Sequence, residues 1–147
     1  MKIAFAKNIV FDGNKLFKGP FAFYIFGDSC CKLQVSLMED LKHGKYLNIA
    51  NSRNLPRESF DILVVTGIIT AKSALILKDI YTNMLNPKYV ISVGSCANSG
   101  GLFKSYNTIN TINTIIPIDI YVPGCPPRKE AIVEALNKLS IKMKGNK

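Results

Sequence analysis

The sequence predicts a doubly wound α/β domain, in which helices cover both faces of a mostly parallel β-sheet. Two apolar runs, residues 61–66 (DILVVT) and 89–93 (YVISV), are each followed by a glycine, as is typical of parallel strands buried on both faces. Residues 71–84, between them, carry apolar side chains at helical spacing. A strand, a helix and a second strand in this order indicate a parallel sheet crossed by helices.

The other elements fit this pattern. Residues 21–26 predict a buried strand, and residues 31–41 predict a helix that stops before His43, which we expect at the surface. A short strand interrupted by proline is expected at 115–120, and a final helix from Arg128 to about Ile141. The repeat NTINTINTI, residues 107–115, is expected to be an exposed loop of little chemical content.

Apolar spacing also predicts which side chains face the core. For the helix at 71–84 the inner residues are expected to be Ala74, Leu75, Leu77, Ile80, Tyr81 and Met84. For the last helix they are expected to be Ala131, Ile132, Ala135, Leu136 and Leu139.

The length and composition indicate a single globular domain over residues 1–147, with no element assigned to residues 1–20 and a polar tail at 142–147. No apolar run reaches the roughly 18–20 residues needed to cross a bilayer. The first residues resemble neither a signal peptide nor a typical transit peptide. If the protein works at a membrane, we expect it to lie on the surface, docked to another protein.

The net charge of +9 comes mainly from lysine, which supplies 16 of the 19 basic residues. We see no basic face interleaved with aromatic residues and no nucleic-acid-binding motif, so no nucleic-acid partner is expected. Isoleucine, asparagine and lysine make up about a third of the chain, a bias typical of AT-rich genomes. Together with the absence of a typical transit peptide, this bias favours a gene carried in an organelle or in a reduced genome, with mitochondrial coding as the preferred interpretation.

The four cysteines carry the strongest chemical signal. Cys30 and Cys31 follow the predicted strand at 21–26, Cys96 follows that at 89–93, and Cys125 follows the last one. Because ligands of such folds bind at the carboxyl ends of the strands, three turns would bring four thiols to one edge. A [4Fe–4S] cluster takes one thiolate on each iron. The neighbouring glycines and prolines suit close approach of the backbone to a bulky group.

Other interpretations of the cysteines remain open at this point. A structural zinc site normally uses pairs of the type C-x₂₋₄-C, which are absent. A disulfide between adjacent Cys30 and Cys31 would strain the peptide between them, and redox dithiols usually have the form C-x-x-C. Four unrelated buried cysteines are the remaining possibility. A secreted disulfide scaffold is disfavoured, because such proteins are richer in cysteine.

Three motifs in order resemble one family, the 20 kDa NuoB/PSST subunits of respiratory complex I, NADH:quinone oxidoreductase. They are the adjacent cysteines, GSCANSGG at 94–101 and DIYVPGCPP at 119–127. The similarity extends through Pro56-Arg57 and DILVVTGIITAK (61–72), and covers nearly everything from Gly27 to about Ile141.

The resemblance implies a flavodoxin-like core without a flavin, and one [4Fe–4S] cluster on Cys30, Cys31, Cys96 and Cys125. That cluster would be the last in the complex and would donate to quinone, so the chain would be a subunit of the enzyme and inactive alone. The implied partners are a hydrogenase-like large subunit, a ferredoxin-like iron–sulfur subunit and membrane-arm subunits. The implied location is peripheral, on the matrix side of the inner mitochondrial membrane, or on the cytoplasmic face of the plasma membrane in a prokaryote.

Residues around the ligands are expected to tune the cluster. Arg57, Gly94 and Gly124 are the candidates, because a guanidinium or a backbone amide near a cluster favours its reduced form. Lys72 could approach the quinone cavity, although a solvent-exposed lysine at a helix start is the simpler interpretation. The family usually has a glutamate three residues after its second cysteine. Gln34 stands there instead, and this removes a carboxylate that could couple protons to reduction.

Two alternatives of different kinds accompany this interpretation. The small subunits of nickel–iron hydrogenases share the fold and the later motifs, but membrane-bound hydrogenases typically show C-x-x-C in place of the adjacent pair. A zinc-binding structural or assembly subunit is the second alternative, and metal analysis would separate it from an electron carrier.

Overall fold

The fold is seen in a computed structural model, which describes residues 2–11, 14–40, 45–47 and 60–145. Within these residues the protein forms a sheet of six strands. These are β1 (Lys2–Phe11), β2 (Asn14–Phe26), β3 (Lys45–Leu47), β4 (Phe60–Thr66), β5 (Lys88–Val93) and β6 (Ile120–Val122). The helices are α1 (Cys30–Asp40), α2 (Ala71–Asn83), α3 (Ser95–Ser99) and α4 (Lys129–Gly145), with a 3₁₀ turn at Ile112–Thr114.

The strand order is β3-β1-β2-β4-β5-β6. β2, β4, β5 and β6 are parallel to one another, whereas β1 is antiparallel to both β2 and β3. β3 therefore runs in the same direction as β2. Because β3 lies on one side of β2 and β4 on the other, the carboxyl ends of β2 and β4 flank a topological switch point, the usual ligand site of such sheets.

Helices cover both faces, so the predicted α/β class is confirmed. One core cluster joins α1 and α4 to alternate residues of the central strands, including Ile62 and Val64. The other joins α2 and the 3₁₀ turn to the opposite face, through Leu63 and Val65. The alternation is what a strand buried on both faces requires. The predicted inner face of α4 is confirmed, with four of its five residues buried and Ala131 packed at the edge.

The predicted inner face of α2 is wrong at one position. Leu75 is 71% exposed, whereas Ala74, Leu77 and Met84 are buried. The sequence ALIL offers four consecutive apolar residues, so spacing alone does not show which of them face the core. In the fold, the stripe of buried residues at positions 74, 77 and 84 excludes Leu75, because adjacent residues on a helix point about 100° apart.

The strand predicted at 115–120 is also wrong, since β6 begins only at Ile120. Asp119 makes the first contacts with β5 instead: its N–H donates to the Val90 carbonyl, and Val90 N–H donates to Asp119 Oδ2, both at 2.9 Å. Residues 115–118 follow the 3₁₀ turn as irregular backbone. Pro117 has no N–H with which to join the hydrogen-bond ladder of a sheet.

The asparagine–threonine–isoleucine repeat is part of the core, contrary to the expected exposed loop. Within the repeat, Ile112 is 1% exposed, and Ile109 and Ile115 are partly buried against the same core cluster. Ile109 N–H donates to the Ile69 carbonyl at 2.7 Å, and Thr108 forms a bridge with Thr70 at the start of α2. Isoleucine at every third position suits the 3₁₀ turn, whose side chains at i and i+3 lie on one side.

Both ends of the chain carry more structure than the sequence indicated. Residues 1–20, to which no element was assigned, include β1 and the first half of β2. α4 continues through Gly145 into the expected polar tail. Within the described ranges, no helix combines the length and the apolar character needed to span a membrane.

The carboxyl group of Asp61 is buried at the start of β4, at the opposite end of the strand from Gly67. Asp61 is 1% exposed; its Oδ2 accepts from Leu85 N–H at 2.8 Å and, more weakly, from the Tyr24 hydroxyl at 3.5 Å. Asp61 Oδ1 has no hydrogen-bond partner among the described residues. Burial raises the pKa of Asp61, against the smaller opposing effects of these two donors.

We expect the stability of the protein to depend on this carboxyl. The pKa of Asp61 is higher in the folded chain than in the unfolded one, so the folded state is more stable when Asp61 is protonated than when it is ionised. Its contribution is greatest below the ordinary pKa of 3.8 and is lost as the pH rises towards the folded pKa. Asp61→Asn should remove this loss. In chemical denaturation from pH 3.8 to neutrality, its free energy of unfolding should therefore change less with pH than that of the wild type. Asp79→Asn, at an exposed position, is the control; a curve for Asp61→Asn parallel to the wild type would contradict the expectation.

Candidate metal centre

Cys30 and Cys31 begin α1 directly after the turn that leaves β2. Gly27, with φ +105°, has no room for a side chain, because a Cβ there would overlap the Thr66 carbonyl at the end of β4. The Thr66 hydroxyl donates to the Phe26 carbonyl at 3.0 Å and joins the two strand ends. The chain then enters α1, where Leu33 N–H donates to the Ser29 carbonyl. The adjacent cysteines are thereby placed at the switch point.

Cys96 lies in α3, a single turn of helix after β5. Gly94 adopts φ +91° between strand and helix, a conformation that glycine reaches without steric cost. The turn is closed by Asn98 N–H donating to the Gly94 carbonyl and Gly100 N–H donating to the Cys96 carbonyl, both at 3.0 Å.

Cys125 follows β6 and is tied to the α3 segment by its backbone neighbours. Ser95 donates to the Gly124 carbonyl twice, from its N–H at 2.8 Å and from its hydroxyl at 3.1 Å. Gly94 N–H donates to the Val122 carbonyl at 2.9 Å. The Cys96 and Cys125 loops are therefore held side by side.

The four thiols share one region at this edge of the sheet. Burial, with smaller contributions from the neighbouring thiols of Cys30, Cys96 and Cys125, raises the pKa of Cys31 to about 11. Burial likewise raises the pKa of Cys96, with smaller contributions from Cys125 and Cys30. Such effects fall with distance, in agreement with the position of Gly94 against Cys31 Sγ and with the hydrogen bonds between the Cys96 and Cys125 loops. All four cysteines are free thiols.

The site opens from the core to the surface. Cys31 is buried, Cys96 is half-buried, and Cys30 and Cys125 are exposed. The raised pKa of Cys31 means that this thiol is protonated at neutral pH. A metal bound there must displace the proton, because the thiolate is the ligand.

Glycines leave space around two of the sulfurs. A Cβ on Gly94 would overlap Cys31 Sγ, and a Cβ on Gly101 would lie 3.2 Å from Cys96 Sγ. Any other residue at Gly94 would displace the thiol. This space, together with four reduced thiols from three turns, fits a bulky thiolate-bound group such as an iron–sulfur cluster.

Among the described residues, no three histidine, cysteine, aspartate or glutamate side chains are placed to hold a single metal ion. In a four-iron cluster each thiolate binds a different iron, so such a cluster does not require three ligands arranged around one ion.

The other residues singled out from the sequence have varied positions. Gly124 adopts φ +141°, and a Cβ on it would meet Pro127 at 2.5 Å, so its conformation is demanded by the loop. Gln34 is half-buried in α1, and Lys72 is exposed in the first turn of α2. Arg57 and His43 lie outside the described residues.

Sequence reasoning missed the hydrogen bonds that Ser92, Ser95 and Asn98 make around the Cys96 and Cys125 loops. Two of these residues lie inside the GSCANSGG motif. Their polar side chains, next to a buried strand, were the signal that could have identified them.

Comparison with known proteins identifies the family of this chain. Residues 28–139 match the family described as "NADH ubiquinone oxidoreductase, 20 Kd subunit". The chain is 39% identical over 125 residues to a NADH-quinone oxidoreductase subunit of Pelobacter propionicus, an alignment that covers 84% of this chain and 76% of the relative. It is 37% identical over 144 residues to the corresponding subunit of Leptospira biflexa, covering 98% of this chain and 76% of the relative.

A solved structure of the membrane-bound sulfane sulfur reductase, an archaeal respiratory membrane complex, contains a chain of similar fold. The TM-score is 0.61 at 25% identity, over 84% of this chain and 70% of that chain. The resemblance inferred from the three cysteine motifs is confirmed. The chain belongs to the family of the 20 kDa subunit of NADH:ubiquinone oxidoreductase and is a subunit of an NADH-quinone oxidoreductase.

Proposed function

We propose that this chain binds one [4Fe–4S] cluster through Cys30, Cys31, Cys96 and Cys125, within a single domain formed by residues 1–147. In this proposal the cluster is the terminal one of the complex. The observation that carries the proposal is that four free thiols follow the carboxyl ends of parallel strands at one edge of the sheet, where the turn at Gly94 lies against Cys31 Sγ and the Cys96 segment is hydrogen-bonded to the Cys125 loop. When bound, the cluster supplies one-electron transfer to quinone.

The protein's own residues prepare the site for this role. Cys31 anchors the group in the core, whereas Cys30 and Cys125 face the surface. Electrons therefore have their shortest route into and out of the site on the exposed side, where neighbouring subunits can approach. Gly94 and Gly101 keep side chains away from the sulfurs.

The same exposed side supports docking to partner subunits. Leu102 and Phe103, which follow Gly101 directly, are 96% and 61% exposed. Large apolar side chains beside a functional site are typical of protein–protein contacts. We propose a hydrogenase-like large subunit, a ferredoxin-like iron–sulfur subunit and membrane-arm subunits as the partners, with quinone bound at a subunit interface.

We propose a peripheral location on the membrane carrying the complex. In a mitochondrion this is the matrix side of the inner membrane, and in a prokaryote the cytoplasmic face of the plasma membrane. Gln34, one turn after Cys30 and Cys31 in α1, is a neutral amide, so no protonatable carboxyl is available at that position to couple protons to reduction.

The family match favours this function over that of a hydrogenase small subunit. The zinc alternative would use the same four free thiols, so it is separated from the cluster by metal analysis.

Metal analysis tests the proposal directly. The chain purified without oxygen, after loading with iron and sulfide, should hold iron and acid-labile sulfide in the ratio of one four-iron cluster per chain. It should give an EPR signal on reduction. Zinc with neither iron nor labile sulfide would overturn the proposal.

A further inference from the structure

The Asn98 side chain joins two strands beside the cysteines. Its Nδ2 donates to the Val122 carbonyl in β6 at 3.1 Å, and its Oδ1 accepts from the Ser92 hydroxyl in β5 at 2.6 Å. These two contacts fix the orientation of the amide. Ser92 is 0% exposed, so its hydrogen bond to Asn98 is buried.

The Val122 carbonyl receives two donors from the segment that carries Cys96. Gly94 N–H donates to it at 2.9 Å, in addition to Asn98 Nδ2. Val122 precedes Cys125 by three residues and Asn98 follows Cys96 by two. The amide therefore connects the two loops that supply two of the four thiols.

We infer that Asn98 is a positioning residue, which holds the Cys125 loop against the Cys96 loop so that both thiols are placed before the cluster binds. The inference rests on the proposed cluster. Asn98 touches no reacting atom; it acts through the Val122 carbonyl and the backbone that leads to Cys125. Ligands held in place by outer hydrogen bonds bind their metal more tightly, because less order must be gained on binding.

Three substitutions separate the two ends of the amide. Asn98→Asp keeps the acceptor facing Ser92 and replaces the donor facing Val122 with an oxygen. Asn98→Ala removes both contacts, and Ser92→Ala removes only the hydroxyl. Asn83→Ala is the matched control, because Asn83 is exposed near the end of α2 and its amide donates to Asp79 within that helix.

The variants are compared in the assembled complex by two measurements. The first is the rate at which iron from this cluster is lost to a chelator, and the second is the g values and midpoint potential of the reduced cluster's EPR signal. Asn98→Ala and Asn98→Asp should lose iron about fivefold faster, the factor that corresponds to a net hydrogen bond of about 1 kcal/mol. Both should also shift the g values, since the direction of the Cys125 thiolate changes. Ser92→Ala should show smaller shifts in the same direction, and Asn83→Ala none.

Wild-type g values and iron loss in both Asn98→Ala and Ser92→Ala would overturn the inference. If the Asn98 variants fail to assemble, Ser92→Ala decides the question by the same two measurements. Absence of a four-iron signal in the wild-type complex is a separate result, and it would overturn the proposed function itself.

Discussion

Replacing Cys125 by serine is expected to abolish the EPR signal of the reduced cluster and the quinone reductase activity of the complex. Serine keeps the size of the side chain but offers a hydroxyl, which is a poor ligand for iron at neutral pH. Substitution of a residue that supports a metal ligand typically lowers metal affinity or activity about ten- to a hundredfold. Substitution of a ligand itself should have a larger effect. Activity with NADH and quinone, and EPR of the purified complex, measure the two effects.

The remaining clusters of the same preparation provide the control for Cys125→Ser. Their signals and the subunit content on a native gel should match the wild type, because Cys125 is exposed and the substitution leaves the core unchanged. Survival of both the cluster signal and the activity would show that Cys125 is not a ligand.

Gly94→Ala is expected to have an effect of similar size without removing any thiol. The new Cβ would overlap Cys31 Sγ, and Cys31 is packed in the core cluster between α1 and α4, where it has little room to move. The thiol or the turn after β5 must therefore shift. We expect the complex to lose most of the iron of this cluster, as measured by its EPR signal per subunit.

Gly100→Ala separates this steric effect from backbone strain. Gly100 also has a positive φ, +76°, but a Cβ there would meet only the Asn110 and Lys104 side chains and the Asn110 Cα, at 3.3 Å or more. Both substitutions also introduce backbone strain, about 1–2 kcal/mol for the left-handed conformation of Gly100 and about 1–3 kcal/mol for that of Gly94, with φ +91° and ψ 157°. Gly100→Ala should thus lower stability while retaining the cluster. Equal iron contents in the two variants would contradict the steric argument.

The sequence was informative where one local rule determines the structure. Continuous apolar runs closed by Gly67 and Gly94 specified β4 and β5, and the position of each cysteine after a strand placed all four on one edge of the sheet. This edge follows from the parallel topology, so it needed no knowledge of side-chain contacts.

The sequence was uninformative where distant contacts decide. Four adjacent apolar residues around Leu75 fit two helix faces equally well, and only packing against β4 and β5 selects one. The isoleucines of the repeat become core residues because Ile109 pairs with Ile69, forty positions away. The hydrogen bonds of Asn98 likewise depend on the neighbouring strand β6, which the sequence does not place beside β5 by itself.

The thiols come from three turns that are far apart in the sequence, so a bound cluster would link distant parts of the chain. Cys31 and Cys96 are 65 positions apart (96 − 31), and Cys96 and Cys125 are 29 apart (125 − 96). A bound cluster therefore acts as a cross-link that closes two long loops, and in the loop-entropy model each closure of this length stabilises the folded chain by about 3–5 kcal/mol. Oxidative loss of the cluster would remove both closures at once. Damage to the redox centre would then also lower the free energy of unfolding of the isolated chain.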